Sequence, residues 1–86
     1  MNDLETRILG IVAREPGTHQ ANAVARELGV ENDDRFKDAV EALNQEHDAL
    51  SHVHYVGADQ LPKPVVGTIT GPTVPGRELA LALDLI

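Results

Sequence analysis

The sequence predicts a single small α+β domain, and three observations lead to this fold class. The chain has 86 residues, and compact domains usually run from roughly 50 to 250 residues, so one domain fits and a second core does not. Residues 1–50 place apolar side chains at helical spacing and contain one proline, whereas residues 51–86 contain four prolines and two β-branched runs. The first part therefore predicts helices, and the second predicts a hairpin followed by an apolar end.

The first helix is predicted over residues 3–14. Asn2 or Asp3 can cap its start, and Pro16 ends it because the residue before a proline avoids the helical region. One stripe of this helix is apolar, at positions i, i+4, i+7 and i+8, and consists of Leu4, Ile8, Ile11 and Val12.

A second, short helix is predicted over Ala21–Leu28, after a β-capable linker at residues 18–20. Gly29 follows at the position where many helices end in the left-handed conformation. Asn22 is the candidate N-cap. The sequence therefore predicts a short strand and a short helix between the two longer helices.

The third helix is predicted over about residues 33–49. The Glu-Asn-Asp-Asp run at residues 31–34 supplies a cap and carboxylates that the helix dipole favours in the first turn. The side chains expected on the buried stripe are Phe36, Ala39, Val40, Leu43, His47 and Leu50. The opposite, outward stripe is expected to hold Asp34, Asp38, Glu41, Gln45, Asp48 and Ala49.

A β-hairpin is predicted from residues 51–56 and 65–70, with a long turn at residues 57–64 whose single cation is Lys63. The first strand alternates, with one face formed by Val53 and Tyr55 and the other by His52 and His54.

The last segment, residues 78–86, is ambiguous between helix and strand. Its leucines alternate as they would in a strand, but leucine and alanine are strong helix formers, and we favour a helix. Thr73 or the Val74-Pro75 pair can start it, because proline is tolerated in a first turn.

The composition argues against several function classes. Seven Lys plus Arg against 14 Asp plus Glu give a net charge of −7, which weighs against indiscriminate binding of phosphates. The absence of cysteine removes disulfides, thiolate metal sites and a cysteine nucleophile, and is compatible with a reducing cytoplasm. The N-terminus is acidic without a signal sequence, and no run reaches the ~20 apolar residues of a membrane span. We therefore expect a cytoplasmic protein that does not enter a membrane.

Catalysis has little support in the sequence. Ser51 and Asp48 adjoin His52, but neighbours at a helix-to-strand junction need not converge, and no nucleophile elbow accompanies them. Residues 67–71 contain two glycines four apart, but no following lysine makes them a phosphate loop. The sequence predicts a protein that is not an enzyme and needs no cofactor.

Three histidines, His47, His52 and His54, form the one cluster that could suggest chemistry. His52 and His54 share a strand face, as a zinc-binding pair would, but the spacing is not a strong metal signature and we assign no metal ligands. Clustered histidines titrate near neutrality. This gives the hypothesis that protonation below about pH 6 loosens the junction between the third helix and the hairpin.

Residues 17–30, and within them the Ala-Arg-Glu-Leu-Gly-Val run at 25–30, carry a resemblance to a known family. Small Ala25 suits a close contact with the next helix, Leu28 fills the core, and Gly29 turns the chain. Together with the order helix, strand, helix, helix, hairpin, helix, these residues resemble the winged helix-turn-helix superfamily of small transcription regulators and phage-type domains. The resemblance covers nearly all of residues 1–86 and implies a three-helix core, a β-hairpin wing and a C-terminal helix.

The resemblance implies binding of double-stranded DNA, with the third helix in the major groove and the wing on the backbone or minor groove. The side chains suited to such contacts are Arg35, Lys37, Asn44, Gln45 and Lys63. The acidic outward stripe of the third helix supports an alternative, in which the same frame is a protein-interaction module or an acidic mimic of nucleic acid. In either case we expect a homodimer through the first helix and Leu79, Leu83 and Ile86, because so small a domain buries little surface alone.

Overall fold

A computed structural model of the chain describes residues 1–57 and 64–86. Within these ranges the chain forms four helices and a three-stranded antiparallel sheet, so the predicted α+β class is confirmed. In chain order the elements are α1 Asp3–Arg14, β1 Gly17–Gln20, α2 Ala21–Leu28, α3 Asp34–Gln45, β2 His52–Val56, β3 Val65–Gly71 and α4 Val74–Ala82.

Local residues set both ends of α1, as predicted. Asn2 is the N-cap, and its Oδ1 accepts a hydrogen bond of 2.8 Å from the Glu5 N–H. The helix ends at Arg14, two residues before Pro16. The apolar stripe of α1 lies in the core, where Ile8, Leu9 and Val12 are fully buried.

The bounds of α2 are those predicted, and Gly29 ends the helix with a φ of 71°. Asn22, however, is wrong as the N-cap. The cap residue is Gln20, whose side chain makes no capping bond. Asn22 instead lies in the first turn, where its Oδ1 accepts a hydrogen bond of 2.9 Å from Asn32 Nδ2, a group that also donates to the Val66 carbonyl at 2.8 Å. The Asn22 side chain is therefore used in a tertiary hydrogen bond with Asn32, and not in capping α2.

The third helix, α3, begins as predicted and ends earlier. The Asp33 carboxylate caps it by accepting from the N–H groups of Arg35 and Phe36, at 3.1 and 3.2 Å. The helix stops at Gln45 rather than near residue 49, because the hydrogen-bonding pattern changes just after it. The N–H groups of residues 46 and 47 both bond to the Ala42 carbonyl.

The short connection between α3 and β2 corrects three predicted positions on the third helix. Asp48 has a φ of 51°, in the left-handed region that an α-helix cannot contain. This turn redirects the chain, so Ala49 is fully buried instead of facing outward, and Leu50 reaches the core from the connection rather than from the helix. Asp48 is exposed, but it lies beyond the helix and does not extend its outward stripe.

The strands follow the order β1-β3-β2, with both pairs antiparallel. The predicted hairpin and its alternation are confirmed, because Val53 and Tyr55 are partly buried against the helices and His52 and His54 are exposed. The register shifts after His54, which leaves Gly67 as an extra residue in β3. The proposed turn cation, Lys63, lies outside the described residues.

The last segment is helical, as favoured, and α4 starts at Val74, directly after the predicted Thr73 cap, but it ends before the terminal leucines. Thr73 caps it by accepting a 3.0 Å hydrogen bond from the Gly76 N–H. The helix ends at Ala82, and Asp84 has a φ of 60°. Ala80 is fully buried and Leu79 is partly buried where α4 packs against α1.

The start of α4 lies directly on the α3–β2 connection. The Thr73 N–H donates to the Ala49 carbonyl at 3.0 Å, and the Thr73 hydroxyl donates to the Asp48 carbonyl. A Cβ atom on Gly76 would lie 2.8 Å from the Ala49 Cα and closer still to the Ala49 carbonyl oxygen. Glycine at this position therefore permits the backbones of the two segments to touch.

Candidate nucleic-acid interface

The outward stripe of α3 is an exposed helical surface beside the hairpin. Phe36, Val40 and Leu43 are fully buried, which turns the opposite side of the helix to solvent. The exposed residues on that side are Asp34, Asp38 and Gln45, and Glu41 is partly buried. The predicted acidic stripe is thus confirmed over the length of the helix, without Asp48 and Ala49.

The predicted contact residues do not form one basic patch. Arg35 is exposed on one flank of α3, whereas Lys37 and Asn44 are partly buried on the other flank, two turns apart. Gln45 is exposed at the last position of the helix. The acidic stripe therefore lies between Arg35 and Lys37, the two cations of α3.

One flank of α3 is held against the hairpin by Tyr55 and Glu41. The Tyr55 hydroxyl donates to Glu41 Oε1 at 3.4 Å. Burial, and then the neighbouring Glu41 carboxylate, raise the pKa of the Tyr55 phenol above its ordinary value. Lys37 and Asn44 lie about one turn before and one turn after Glu41, on the same flank of the helix.

The opposite flank of α3 borders a groove of about 660 Å³ beside the N-terminal end of α1. Its apolar lining comes from Leu4, Val30, Phe36 and Ala39. Its charged lining comes from five carboxylates and two guanidinium groups, giving a local charge of 2 − 5 = −3, from Asp3, Glu5, Glu31, Asp33, Asp38, Arg7 and Arg35. This groove favours a cationic ligand over a phosphate.

Sequence reasoning missed this groove. Its walls come from segments far apart in the chain, and Arg7 joins them by donating to the Leu28 carbonyl at 3.1 Å. The one local signal is Glu5, a carboxylate beside the apolar stripe of α1, which is only 8% exposed. A buried carboxylate needs a partner, so its position indicates a polar contact across the α1–α3 boundary.

The partner of Glu5 is His47, whose Nε2 lies 3.7 Å from Glu5 Oε1. His47 is therefore a boundary residue between α1 and the end of α3, while His52 and His54 lie on the exposed side of the sheet. This contact joins α1 to the segment that follows α3. The predicted response of the α3–hairpin junction to pH stays a prediction.

The side chains of residues 1–57 and 64–86 include no group of three or more His, Cys, Asp or Glu placed to hold a metal ion. In the same ranges no helix has the length and apolar character required to cross a membrane.

The outer side of α3 and the hairpin beside it are open to a large partner. Among the candidate contacts that the structure describes, Arg35 and Gln45 are exposed, and the carboxylates between them restrict which ligands can approach. Comparison with protein-family models, curated proteins and solved structures finds no match for this chain.

Proposed function

We propose that the protein is a winged-helix domain that binds double-stranded DNA and regulates transcription in the cytoplasm. The observation that carries the proposal is the element order combined with the strand order β1-β3-β2. It leaves α3 exposed on its outer side, directly beside the β2–β3 hairpin. In a winged helix, a helix so placed enters the major groove and the hairpin contacts the backbone.

The acidic stripe limits how the proposed complex can form. Carboxylates repel phosphates, but they can accept a hydrogen bond from cytosine N4, and Gln45 can pair with adenine. Phosphate contacts fall to Arg35, Lys37 and Lys63. With three such contacts, the logarithm of affinity should fall with the logarithm of salt concentration with a slope of about −2.7 per protomer. Affinity that depends so weakly on salt would distinguish this complex from one formed by a basic DNA-binding surface.

We also propose that the domain acts as a homodimer through its C-terminal segment. Leu81, Leu83 and Ile86 are 52%, 43% and 39% exposed. Of the residues expected at the interface, Leu79 packs on its own core instead, so Leu81 takes its place in the proposal. Residues 74–86 carry only 1 − 2 = −1 of charge. Two copies with a net charge of −7 therefore repel each other less at this surface than along the acidic stripe of α3.

The test is a selection from a random-sequence duplex pool with the untagged full chain, followed by anisotropy titrations at several salt concentrations. Arg35→Glu should weaken binding to all duplex sequences alike and reduce the steepness of the salt dependence by about 1, because it removes one phosphate contact. Arg26→Glu is the matched control, since Arg26 is exposed on α2 and the charge change is the same. Equal effects of the two variants, or no retention of any duplex at the lowest salt, would refute the proposed surface.

A second candidate function is an acidic module that binds a protein and no DNA. The excess of carboxylates along the groove between α1 and α3 favours it. The probe is a lysine-rich peptide with apolar residues. Binding of this peptide that Asp38→Asn weakens, with no DNA retention at any salt concentration, would replace the first function by the second.

A further inference from the structure

The outer face of the sheet differs from the rest of this acidic surface. Residues directly opposite in an antiparallel pair point to the same side. The register therefore places six side chains in two rows across the three strands, Thr18, Thr70 and His52 in one row and Gln20, Thr68 and His54 in the next. None of these six side chains is a carboxylate, a lysine or an arginine. Two exposed imidazoles thus lie on a neutral, hydroxyl-rich surface.

The two imidazoles are arranged as a pair. His52 and His54 are two positions apart on β2, which separates their Cα atoms by roughly 6.7 Å on one face of the strand. Both are exposed. His47 faces Glu5 on α1, and the His19 Nε2 lies 2.5 Å from the Glu15 carbonyl oxygen, so the other two histidines have partners within the fold.

An irregularity in the sheet adjoins this pair. The extra residue of β3, Gly67, lies beside His54, and such bulges re-aim neighbouring side chains. A Cβ atom at residue 67 would lie 3.5 Å from His54 Cδ2 and 2.9 Å from Val56 Cγ1. The missing side chain therefore leaves open the space next to the His54 ring.

We propose that His52 and His54 form a binding site for a divalent transition metal of the zinc, nickel or copper class. Neutral imidazole nitrogens are preferred ligands of these ions, and the net charge of −7 favours the approach of any cation. Thr68 and Thr70 are the cross-strand neighbours, and their hydroxyls can accept hydrogen bonds from the ring N–H groups that do not bind metal. This inference is independent of the proposed DNA binding.

The site is open, because the chain supplies two ligands and zinc prefers four. The remaining positions take water or donors from another molecule, including the same pair on a second copy. An open site of this kind binds more weakly than a closed structural site, and it can be occupied or emptied without unfolding the domain.

The first test uses nickel held by nitrilotriacetate on a resin, because that chelator leaves two positions of the ion open. The untagged, metal-free full chain should be retained and should elute with imidazole. His52→Asn and His54→Asn should each abolish retention, whereas His19→Asn and His47→Asn should leave it unchanged. Circular dichroism checks that each variant is folded.

The second test is a calorimetric titration of the same proteins with zinc chloride. Loss of either ligand should weaken zinc binding by about tenfold or more, since even outer-shell changes cost 10–100-fold. A ratio of one zinc per chain supports an open site, and one zinc per two chains, with a dimer in size-exclusion chromatography, supports a bridged site. Zinc binding that survives in both His52→Asn and His54→Asn, or no binding by the unaltered chain, would overturn the proposal.

Discussion

Replacing Gly76 with alanine should separate α4 from the connection that follows α3. The added Cβ would lie 2.8 and 2.9 Å from the Ala49 Cα and carbonyl carbon, closer than such atoms pack in folded proteins. Ala49 cannot easily yield, because its N–H donates to the Leu43 carbonyl at 2.8 Å and its own carbonyl accepts from Thr73. The start of α4 must therefore move.

The size of the effect follows from the contacts that the movement disturbs. Overpacking of a close contact costs about 1–3 kcal/mol. The two hydrogen bonds from Thr73 to the connection contribute about 0.5–1.5 kcal/mol each. The higher helix propensity of alanine offsets up to about 1 kcal/mol of this loss of stability. We expect the free energy of unfolding to fall by about 3 kcal/mol, a large part of the roughly 5–15 kcal/mol of a typical domain.

The assay is urea denaturation followed by circular dichroism, with Gly10→Ala as the matched control. Gly10 is buried within α1, and its added Cβ would meet only the end of the flexible Arg14 side chain, at 3.1 Å. That substitution should leave stability unchanged or raise it by up to about 1 kcal/mol. If Gly76→Ala changed stability by less than about 0.5 kcal/mol, the close contact with Ala49 would not exist in solution.

Two further predictions concern Tyr55 and the C-terminal segment. Glu41→Gln should lower the pKa of Tyr55 towards its ordinary value, measured by phenolate absorbance, because Tyr55 is the single tyrosine and the chain has no tryptophan. Because the pKa of Tyr55 is raised in the folded state, its contribution to stability is complete below about pH 10 and is lost as the pH rises through the folded-state pKa. Glu41→Gln should therefore lose less stability than the unaltered protein over this pH range. An unchanged titration midpoint would contradict the Glu41 contact. Leu83→Asp should shift the proposed homodimer to monomer in light scattering without a change in the circular dichroism spectrum; a dimer that persists would place the interface elsewhere.

The helix bounds that could be predicted from sequence are those that adjacent residues determine. Asn2 and Pro16 fix α1, and Gly29 fixes the end of α2, because each acts through its own backbone or a neighbour's N–H. The end of α3 is different, since Asp48 takes up its left-handed conformation where the chain must meet α4. No local sequence pattern predicts this contact, because Asp48 and Thr73 are far apart in the chain.

In the candidate site, too, features that depend on local sequence could be predicted, and features that depend on tertiary packing could not. Helical periodicity predicted the exposure of Asp34, Asp38 and Gln45, because the buried side of α3 is strongly apolar. It could not predict that Arg35 would border a groove with α1, since helix packing brings the two together. Asn22 failed as a cap for a related reason, because Asn32 approaches it only in the folded chain.

The strand order has a consequence for how the domain folds. β1 pairs with β3 from Gly17↔Gly71 to Gln20↔Thr68, so the ladder closes only after α2, α3 and β2 have been brought together. Closing so long a loop costs entropy before any contact compensates for it, and such non-local pairings slow folding. A chain that stopped before Val65 would leave β1 and β2 without their shared neighbour. We therefore expect the helices and the sheet to form in one cooperative transition, with no stable half-domain.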